Sequence, residues 1–511
     1  MDYQPDSPYQ MLRNSTFLPM SRNPSISKLP VEIWAKIFYD CLPAADEPVP
    51  DEGETGFDED GSEAESDELS LFIRPSRQTA PLLLTEVSQG WRAMALSTAE
   101  LWCSLRVDSH DHRVETDDGI KHPSVASKMA TWLARSGAER GVCISLRVCR
   151  CIDGKDADRF ADEALEILLR YMHRWEHVEL YWGRDIAPNL TSALPRVMDM
   201  YASPVPLLEE LVIASFIDVI DTNNQIEDQL SFLLHTAPRL TSFTWFDNMV
   251  LRGKFWRPLE LNPTWLQELR LGCVVTVDEC ITMLCSSPQL QACEFTYVVI
   301  DSPVTSQRAN TGEPIIPTVL YHLLHLKICS LQNLAPLFDS ITLPALQSLD
   351  VEGIDDDASP PPPRLAELEL ISLFRRSRCP LEELILDTDM SAAGLLQILR
   401  LVDDSLTTLH IAQNAMGCIT DAVLISLTRL TSTDGTIHCL CSKLDRICFT
   451  GNTSTILSLG VLPGMLESRI VMNSDVYIYI AYRRSHLWLG DVQRLQNLEA
   501  RHSHVAIRFF E

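Results

Sequence analysis

Residues 406–416 read LTTLHIAQNAM, a stretch in which Leu406, Leu409 and Ile411 are separated by other residues at a fixed spacing. The same L-x-x-L-x-L spacing, with other apolar residues allowed at each position, occurs twelve times in the chain. The apolar triplets are Trp102/Leu105/Val107, Cys143/Leu146/Val148, Trp175/Val178/Leu180, Leu208/Leu211/Ile213, Leu240/Phe243/Trp245, Leu266/Leu269/Leu271, Leu290/Cys293/Phe295, Leu323/Leu326/Ile328, Leu346/Leu349/Val351, Leu381/Leu384/Leu386, Leu406/Leu409/Ile411 and Leu444/Ile447/Phe449. Self-similarity of this kind indicates a repeat architecture.

The last three positions of a triplet typically alternate between apolar and polar residues, as in Leu269-Arg270-Leu271. This period of two predicts short strands with one buried face. Several segments between the triplets have apolar residues at helical spacing, most clearly 278–285, 391–402 and 421–430. Residues that favour helix N-caps stand at their starts, namely Asp278, Ser391 and Asp421. The sequence therefore predicts a strand followed by a helix, many times over.

The triplets start 23 to 41 residues apart, so the repeat is irregular. A single strand and helix cannot bury their apolar faces alone, whereas stacked neighbours can. We therefore predict an α/β fold in which residues 108–511 form an irregular solenoid of horseshoe type. The alternative is a leucine-rich α/β protein in which the spacing arises by chance. Twelve occurrences favour the solenoid.

A different pattern precedes the triplets. Apolar residues recur at helical spacing on one face of residues 31–42, after Pro30, which suits a first helical turn. A second helical pattern covers residues 83–95, and Ser97-x-x-Glu100 predicts a capping box for one more turn. The sequence thus predicts a helical module over residues 26–107.

An acidic segment interrupts this module. Twelve Asp and Glu residues and no Lys or Arg lie between Asp46 and Glu68. Charge repulsion and low hydrophobicity prevent such a segment from burying enough surface to fold. We predict a disordered insertion at 43–70, acting as a spacer rather than a binding segment, and a disordered N-terminus at 1–25.

The overall charge excludes one class of partner. The chain of 511 residues has 42 Lys and Arg against 70 Asp and Glu, a net charge of −28, so it lacks the basic surface that binds nucleic acid. Residues 1–24 lack a basic start with an apolar core, and no run of 18 apolar residues occurs. We expect no membrane partner and a soluble protein of the cytoplasm and/or nucleus.

The 15 cysteines are scattered through apolar stretches. We expect them to stay reduced in that compartment and to be largely buried, as at Cys273, Cys280 and Cys285.

Motifs for catalysis are absent from the sequence. It contains no G-x-x-x-x-G-K-[ST], G-x-G-x-x-G, G-x-S-x-G or H-E-x-x-H. Three small His and Cys groups lack the spacing of structural zinc sites, namely His110/His112, Cys143/Cys149/Cys151 and His438/Cys439/Cys441. We therefore expect no catalytic residues, no metal and no cofactor. An unrecognised hydrolase or metal enzyme is the third alternative, and it would require a tight Cys/His cluster in space.

Residues 29–38, LPVEIWAKIF, resemble the opening of the F-box, an L-P-x-E-[IL]-x-x-x-I-F pattern. Residues 87–95 resemble its V-C-[KR]-x-W-R-x-[LI]-A helix, with Ser88 in place of the usual Cys, and residues 97–107 resemble a continuation common in fungal F-box-like proteins. The remaining chain resembles irregular leucine-rich repeats. The resemblance implies binding to a small Skp-type adaptor of a cullin-based ubiquitin ligase, through Leu29, Pro30, Ile33, Trp34, Ile37, Phe38, Val87 and Trp91.

A target protein would then be recognised on exposed strand positions between the apolar ones. These are Glu209, Glu210, Gln267, Glu268, Arg270, Lys327, Asp350, Glu382, Glu383, His410 and Arg446. Acidic residues predominate among them, which favours a basic protein surface as the target. The resulting hypothesis is a substrate-recognition subunit of an SCF-type (Skp-cullin-F-box) ubiquitin ligase. The alternative is a leucine-rich scaffold without ligase association, in which the N-terminal helices only cap the repeats.

Overall fold

The protein is described from a computed structural model. The residues that it describes are 29–42, 72–109, 114–116, 119–121, 125–148, 155–182, 205–215, 237–247, 265–299, 317–330, 333–353, 366–412, 417–431, 437–451, 457–470, 476–483 and 487–510. The predicted disordered segments 1–25 and 43–70 lie outside these ranges. The chain divides into two compact units, Met1–Arg106 with Ala130–Arg140 and Val107–Met129 with Gly141–Glu511.

The first unit contains the predicted helices, with shorter bounds. They are α1 (Val31–Tyr39), α2 (Leu82–Val87), α3 (Gln89–Ser97) and a 3-10 helix at Ala99–Trp102. The first helix stops at Tyr39 and does not reach Leu42, because Leu42 precedes Pro43 and proline disfavours the helical conformation of the residue before it.

The helical pattern over residues 83–95 is two helices and not one. The chain is extended at Ser88, whose hydroxyl accepts a hydrogen bond of 3.1 Å from the backbone N–H of Trp91 and so caps α3. The capping box predicted at Ser97 is wrong. The Ser97 hydroxyl donates to the carbonyl of Met94 at 2.9 Å, a local bond that competes with capping, and Thr98 precedes the 3-10 helix without a side-chain cap.

Twenty strands are present among the described residues. In chain order they are β1 (Ser104–Asp108), β2 (Val114–Thr116), β3 (Gly119–Lys121), β4 (Val142–Val148), β5 (Trp175–Trp182), β6 (Glu210–Ser215), β7 (Ser242–Asp247), β8 (Glu268–Thr276), β9 (Ala292–Val299), β10 (Thr318–Val319), β11 (His325–Ser330), β12 (Ile341–Thr342), β13 (Ser348–Gly353), β14 (Glu383–Asp387), β15 (Thr408–Ile411), β16 (Leu430–Thr431), β17 (Ile437–His438), β18 (Arg446–Gly451), β19 (Tyr477–Arg483) and β20 (Val505–Phe510).

One open sheet contains 14 of these strands, in the order β1-β4-β5-β6-β7-β8-β9-β11-β13-β14-β15-β18-β19-β20. A boundary between the two compact units falls within β1, and the other strands of this sheet belong to the second unit. From β4 to β20 every neighbouring pair is parallel, so each strand must be followed by a crossover connection. The fold is therefore α/β with a large parallel sheet whose strands follow chain order.

The last two apolar residues of all twelve triplets lie on strands of this sheet, so the strand prediction is confirmed. The sequence pattern missed β19 and β20. Their apolar alternation at Ile478/Ile480 and Val505/Ile507 lacks the leading apolar residue of the triplet.

The apolar positions of neighbouring triplets stand side by side. Leu326 pairs with Cys293 on one side and Leu349 on the other, and all are buried. Two residues further, Ile328 pairs with Phe295 and Val351 in the same way. These continuous apolar rows remove hydrocarbon from water across the width of the sheet, which is the main favourable contribution to folding.

Helices connect many of the strands. They are α4 (Ala126–Arg135), α5 (Lys155–Arg170), α6 (Val277–Ser286), α7 (Ala335–Ser340), α8 (Glu367–Ser377), α9 (Ala392–Leu401), α10 (Asp421–Leu427), α11 (Val461–Ile470) and α12 (Leu489–Arg501). A boundary between the two units falls within α4. The helices predicted from segments 278–285, 391–402 and 421–430 are confirmed as α6, α9 and α10. Among the helices of the described ranges, none is long and apolar enough to cross a membrane.

The predicted N-caps are right at one helix of three. The Ser391 hydroxyl accepts a hydrogen bond of 3.0 Å from the N–H of Gly394 and caps α9. At α6 the cap is Thr276 and not Asp278, because Thr276 and Glu279 form a capping box. At α10 Asp421 is the first helical residue, and its carboxylate accepts from the N–H of Ser458 instead.

The cysteines described in the structure are free thiols. Cys273 and Cys280 are buried, as the sequence indicated, whereas Cys285 is exposed. The prediction of burial at Cys285 is therefore wrong, since this residue lies in the last turn of α6, beyond the buried face of that helix.

Candidate functional site

The positions between the buried apolar rows lie on the opposite face of the sheet, because side chains alternate along a strand. Register aligns these positions into rows that cross many strands. A first row contains Glu210, Ser242, Glu268, Ala292, His325, Ser348, Glu383, Thr408 and Arg446. A central row, two residues further along each strand, contains Arg270, Glu294, Lys327, Asp350, Ile385, His410 and Cys448.

The eleven residues predicted for target binding fall on these rows or directly before them. Glu210, Glu268, Glu383 and Arg446 are in the first row, and Arg270, Lys327, Asp350 and His410 are in the central row. Glu209, Gln267 and Glu382 precede the strands β6, β8 and β14. Register therefore places eight of them on the polar face of the sheet, and the other three lie at the start of their strands.

The residues before the strands are held by the main chain. The N–H of Gln267 donates to the carbonyl of Thr241 at 2.8 Å, and that of Glu382 donates to Gln347 at 2.7 Å. The N–H of Thr241 donates in turn to Glu209 at 2.8 Å. These bonds use only backbone groups, and the side chains of Glu209 and Gln267 have weak partners, Arg239 at 3.9 Å and Gln291 at 3.5 Å.

Four side chains on β11 and β13 form a polar cluster, here called the Lys327 cluster: Lys327, Cys329, Asp350 and Glu352. The Lys327 Nζ lies 3.5 Å from Asp350 Oδ2 and 3.3 Å from Glu352 Oε1. The Cys329 thiol donates a hydrogen bond of 3.0 Å to Glu352 Oε2. One ammonium group therefore bridges two carboxylates near the middle of the sheet.

Asp350 departs from the sequence prediction, which placed it among exposed residues. It is only 9% exposed, because Lys327 and the neighbouring strands cover it. Its Oδ1 atom accepts no hydrogen bond from the described residues. Burial, followed by the nearby Glu352 carboxylate, raises the pKa of Asp350 to about 7. The carboxyl group therefore changes charge near neutral pH.

The other members of the cluster are shifted by the same surroundings. Burial would lower the pKa of Lys327, but the Asp350 and Glu352 carboxylates raise it above its usual value. Burial would raise the pKa of Glu352, but the bond from Cys329 and the Lys327 charge lower it. Burial and the bond to Glu352 raise the pKa of the Cys329 thiol. Cys329 therefore stays protonated and is not an activated nucleophile.

The sequence pattern did not indicate Cys329 or Glu352. They lie one residue beyond the last apolar position of their triplets, Ile328 and Val351, so the alternation that defined the other candidates continues to them. Extending the pattern by two residues would have found both. Their contact with each other depends on the parallel register of β11 and β13.

Most charged candidates elsewhere on this face already have partners within the protein. Arg270 pairs with Glu268 at 2.6 Å, and Glu383 accepts from the Ser348 hydroxyl at 2.8 Å. His410 Nε2 lies 3.1 Å from the Thr450 hydroxyl, and burial lowers the pKa of this imidazole despite the nearby Asp387 carboxylate. His410 is therefore neutral at physiological pH, and the charge of the face comes from its carboxylates, Arg and Lys side chains.

In the first unit the predicted adaptor-binding residues separate into two sets. Leu29, Ile33 and Ile37, here called the helical patch, are 38%, 45% and 37% exposed. Pro30 and Val87 are exposed as well, which agrees with a surface position, while Trp34 and Trp91 are half-buried.

Phe38 is fully buried, and its prediction as an exposed contact residue is wrong. Its ring centroid lies 5.0 Å from that of Trp91 and 5.8 Å from that of Trp34, in an aromatic cluster that joins α1 to α3. Trp34 and Trp91 also contact each other edge to face at 5.7 Å. Phe38 therefore supports the helix that carries the patch.

Of the small His and Cys groups, His110, His112, Cys149 and Cys151 lie outside the described residues. Cys441 is buried and Cys439 is half-buried. Burial raises the pKa of Cys441 to about 12, so its thiol is not a ready metal ligand. No protein-family model matches the chain, and no curated protein matches it.

Proposed function

We propose that this protein is a binding adaptor of an SCF-type ubiquitin ligase. In this proposal the F-box-like helices of the first unit dock on a Skp-type adaptor. The second unit is a leucine-rich-repeat solenoid that holds a target protein on the polar face of its sheet. The protein performs no covalent chemistry itself, since holding a target close to an activated ubiquitin raises its effective concentration.

The observation that carries the proposal is the order of the strands. From β4 to β20 the sheet follows the chain, with each strand parallel to the one before it. Stacked repeats of strand and return connection produce this arrangement. A repeat sheet presents one long polar face made of equivalent positions, and such faces are suited to binding other proteins.

The helical patch supports the first half of the proposal. Three apolar side chains on and before α1, at Leu29, Ile33 and Ile37, are more than a third exposed within a short segment. Exposed apolar patches mark interaction sites, and an apolar helix face is a common way to bind a partner helix. Leu29 and Pro30 also begin the F-box-like sequence.

The charge of the sheet face supports a basic target. Among the eleven candidate residues six are acidic and three are Lys or Arg. Edge residues such as Glu382 are exposed and are not bound by side chains that the structure describes. A complementary basic surface on the target would speed association and fix its register.

Retention of a purified Skp-type adaptor by the full chain tests the ligase proposal. We expect the wild-type protein to retain it and the double variant Ile33→Asp/Ile37→Asp to lose at least tenfold in affinity, because two charges enter an apolar contact. Ile425→Asp is the matched control, since Ile425 is 57% exposed on α10 of the second unit. Absence of wild-type binding, or equal binding by the double variant, would show that the proposal is wrong.

A second candidate is a leucine-rich scaffold without ligase association. The burial of Phe38 against Trp34 and Trp91 favours it, because these aromatic residues of the F-box-like segment pack within their own unit. This candidate predicts a protein partner for the sheet face and no binding to a Skp-type adaptor at any concentration that the assay reaches.

A further inference from the structure

A cluster of possible metal ligands lies at the amino end of β5 and β6, away from the Lys327 cluster. Glu176, His177 and Glu209 each offer one ligand atom, and these atoms all lie within 4.8 Å of one another. Their donor set is one imidazole nitrogen and two carboxylate oxygens. Among the described residues this is the group of at least three His, Cys, Asp or Glu side chains whose ligand atoms lie this close together.

We propose that Glu176, His177 and Glu209 bind a divalent transition metal ion such as Zn²⁺. Zinc accepts imidazole nitrogen and carboxylate oxygen as ligands, at about 2.0–2.2 Å, so small side-chain adjustments bring three donors of this spacing onto one ion. Three protein ligands leave a fourth position for water or for a group of a binding partner. The inference concerns residues of the second unit alone and is independent of the ligase proposal.

The backbone fixes the two carboxylates next to each other. The N–H of Glu209 donates to the carbonyl of Glu176 at 2.8 Å, and the next residues, His177 and Glu210, are register partners in β5 and β6. Glu176 and His177 lie on β5, where Glu176 is the extra residue of a β-bulge against β4, and Glu209 directly precedes β6. A bulge bends its strand locally and changes the direction of the side chains, which brings the consecutive Glu176 and His177 to one site.

The imidazole of His177 is oriented by a fourth residue. Its Nδ1 lies 3.1 Å from Glu210 Oε2, so the carboxylate accepts the Nδ1 proton, and in this tautomer Nε2 keeps the lone pair that a metal ion requires. Metal-binding histidines generally donate their other ring N–H to a carboxylate or carbonyl, which fixes the tautomer and increases basicity. Glu210 is the positioning residue of this site and not one of its three ligands.

The space around Glu176 is also consistent with a formed site. A Cβ at Gly141 would clash with Glu176 Oε2, so the glycine leaves the room that this carboxylate occupies. Arg239 competes with a metal ion for Glu209, since it lies 3.9 Å from Glu209 Oε1. The Arg239 side chain is 60% exposed, and ion pairs this exposed contribute little, so a metal ion displaces it readily.

Binding of Zn²⁺ to the full chain, freed of metal by a chelator, tests the proposal. A chromophoric chelator in competition gives the number of bound ions and their affinity. We expect His177→Ala to bind one ion fewer than the wild type, and Glu176→Gln and Glu209→Gln to weaken that ion at least tenfold. Glu210→Gln keeps the three ligands and is expected to weaken binding by about 10–100-fold.

His410→Ala is the matched control, because His410 is a half-buried histidine of the same sheet face outside the cluster. It is expected to bind as many ions as the wild type. Circular dichroism of each metal-free variant checks its folding, and the isosteric Glu→Gln changes keep the test valid if His177→Ala unfolds. Equal stoichiometry and affinity in the wild type and in the folded cluster variants would overturn the proposal, as would a wild type that binds no Zn²⁺.

Discussion

The two surfaces proposed to bind partners have opposite chemistry. The helical patch of the first unit is apolar and exposed at Leu29, Ile33 and Ile37, on a helix held by the fully buried Phe38. The sheet face of the second unit is charged, and the side chains of its Lys327 cluster are already bound to one another. One surface presents hydrocarbon to solvent, whereas the other presents paired charges.

This difference predicts how binding through each surface responds to pH and to salt. Apolar contacts gain free energy from burial and are insensitive to pH and to moderate salt. Exposed charge contacts are screened by salt, and a carboxyl with a pKa near 7 makes a surface sensitive to pH. Binding through the patch should therefore be constant under conditions that change binding through the sheet face.

The largest effect is expected where the patch depends on its core. Phe38→Ala removes a fully buried ring and should cost about 3–5 kcal/mol, through lost burial and the cavity left behind. Ile33→Ala, at a residue that is 45% exposed, is the control and should change stability by less than about 1 kcal/mol. Hydrogen exchange of residues 31–39 measures both. Equal protection in the two variants would contradict the supporting role of Phe38.

A smaller effect is expected from the pH response of Asp350, whose pKa of about 7 is above its ordinary value. A carboxyl whose pKa rises on folding holds its proton more tightly in the folded chain. It therefore stabilises the fold at low pH, and this contribution is lost as the pH rises from about 4 to about 7, by no more than about 4 kcal/mol. Asp350→Asn should remove this loss of stability. The free energy of unfolding of the variant, relative to that of the wild type, should therefore rise between pH 5 and pH 8.

Urea unfolding midpoints at the two pH values measure this difference. Glu382→Gln, at an exposed acidic residue of the same side of the sheet, is the control and should follow the wild type. If the midpoint of Asp350→Asn differs from that of the wild type by the same amount at both pH values, the raised pKa of Asp350 is wrong.

The next effect concerns the bridging ammonium group. Lys327→Met leaves Asp350 and Glu352 without their shared cation, and we expect a loss of about 1–2 kcal/mol after solvent screening of the part-exposed Lys327 is allowed for. Combining it with Asp350→Asn should cost less than the sum of the two changes, because the residues interact directly. Additive losses would argue against the pairing. Arg494→Met, which breaks an exposed pair with Glu467, should lose less than about 1 kcal/mol.

The smallest effect is expected at the start of α3. Ser88→Ala removes the hydroxyl that accepts from the Trp91 N–H and should cost about 1 kcal/mol. Ser97→Ala should be nearly neutral, since that hydroxyl only bonds back to Met94 within the helix. Hydrogen exchange of residues 89–97 compares the two. Faster exchange in Ser97→Ala than in Ser88→Ala would contradict the capping role of Ser88.

Strands were predictable because the alternation of their side chains is a local property. The triplet ending in Leu409 and Ile411 marks β15 without reference to any other part of the chain. The triplet template failed at β19 and β20, where the leading position is not apolar. Helix ends were less predictable, because Thr276 and Asp278 are both good caps and the backbone at the end of β8 decides between them.

The candidate site was predictable to a similar extent. Alternation placed Lys327, Glu383 and the other polar strand positions on one side of the sheet. It did not show that Asp350 is covered, or that Phe38 faces Trp91 and not solvent. Burial depends on which neighbours arrive from other parts of the chain, and a single segment does not carry that information.

The sequence by itself determined most strand positions of the large sheet and the acidic charge, because spacing and composition are properties of the chain. Only the tertiary structure decided which polar side chains meet. Parallel register brought Cys329 to Glu352 and His177 to Glu210, and the backbone bond of Glu209 to Glu176 brought two carboxylates together. These contacts join residues of neighbouring strands, so they exist only once the strands have paired.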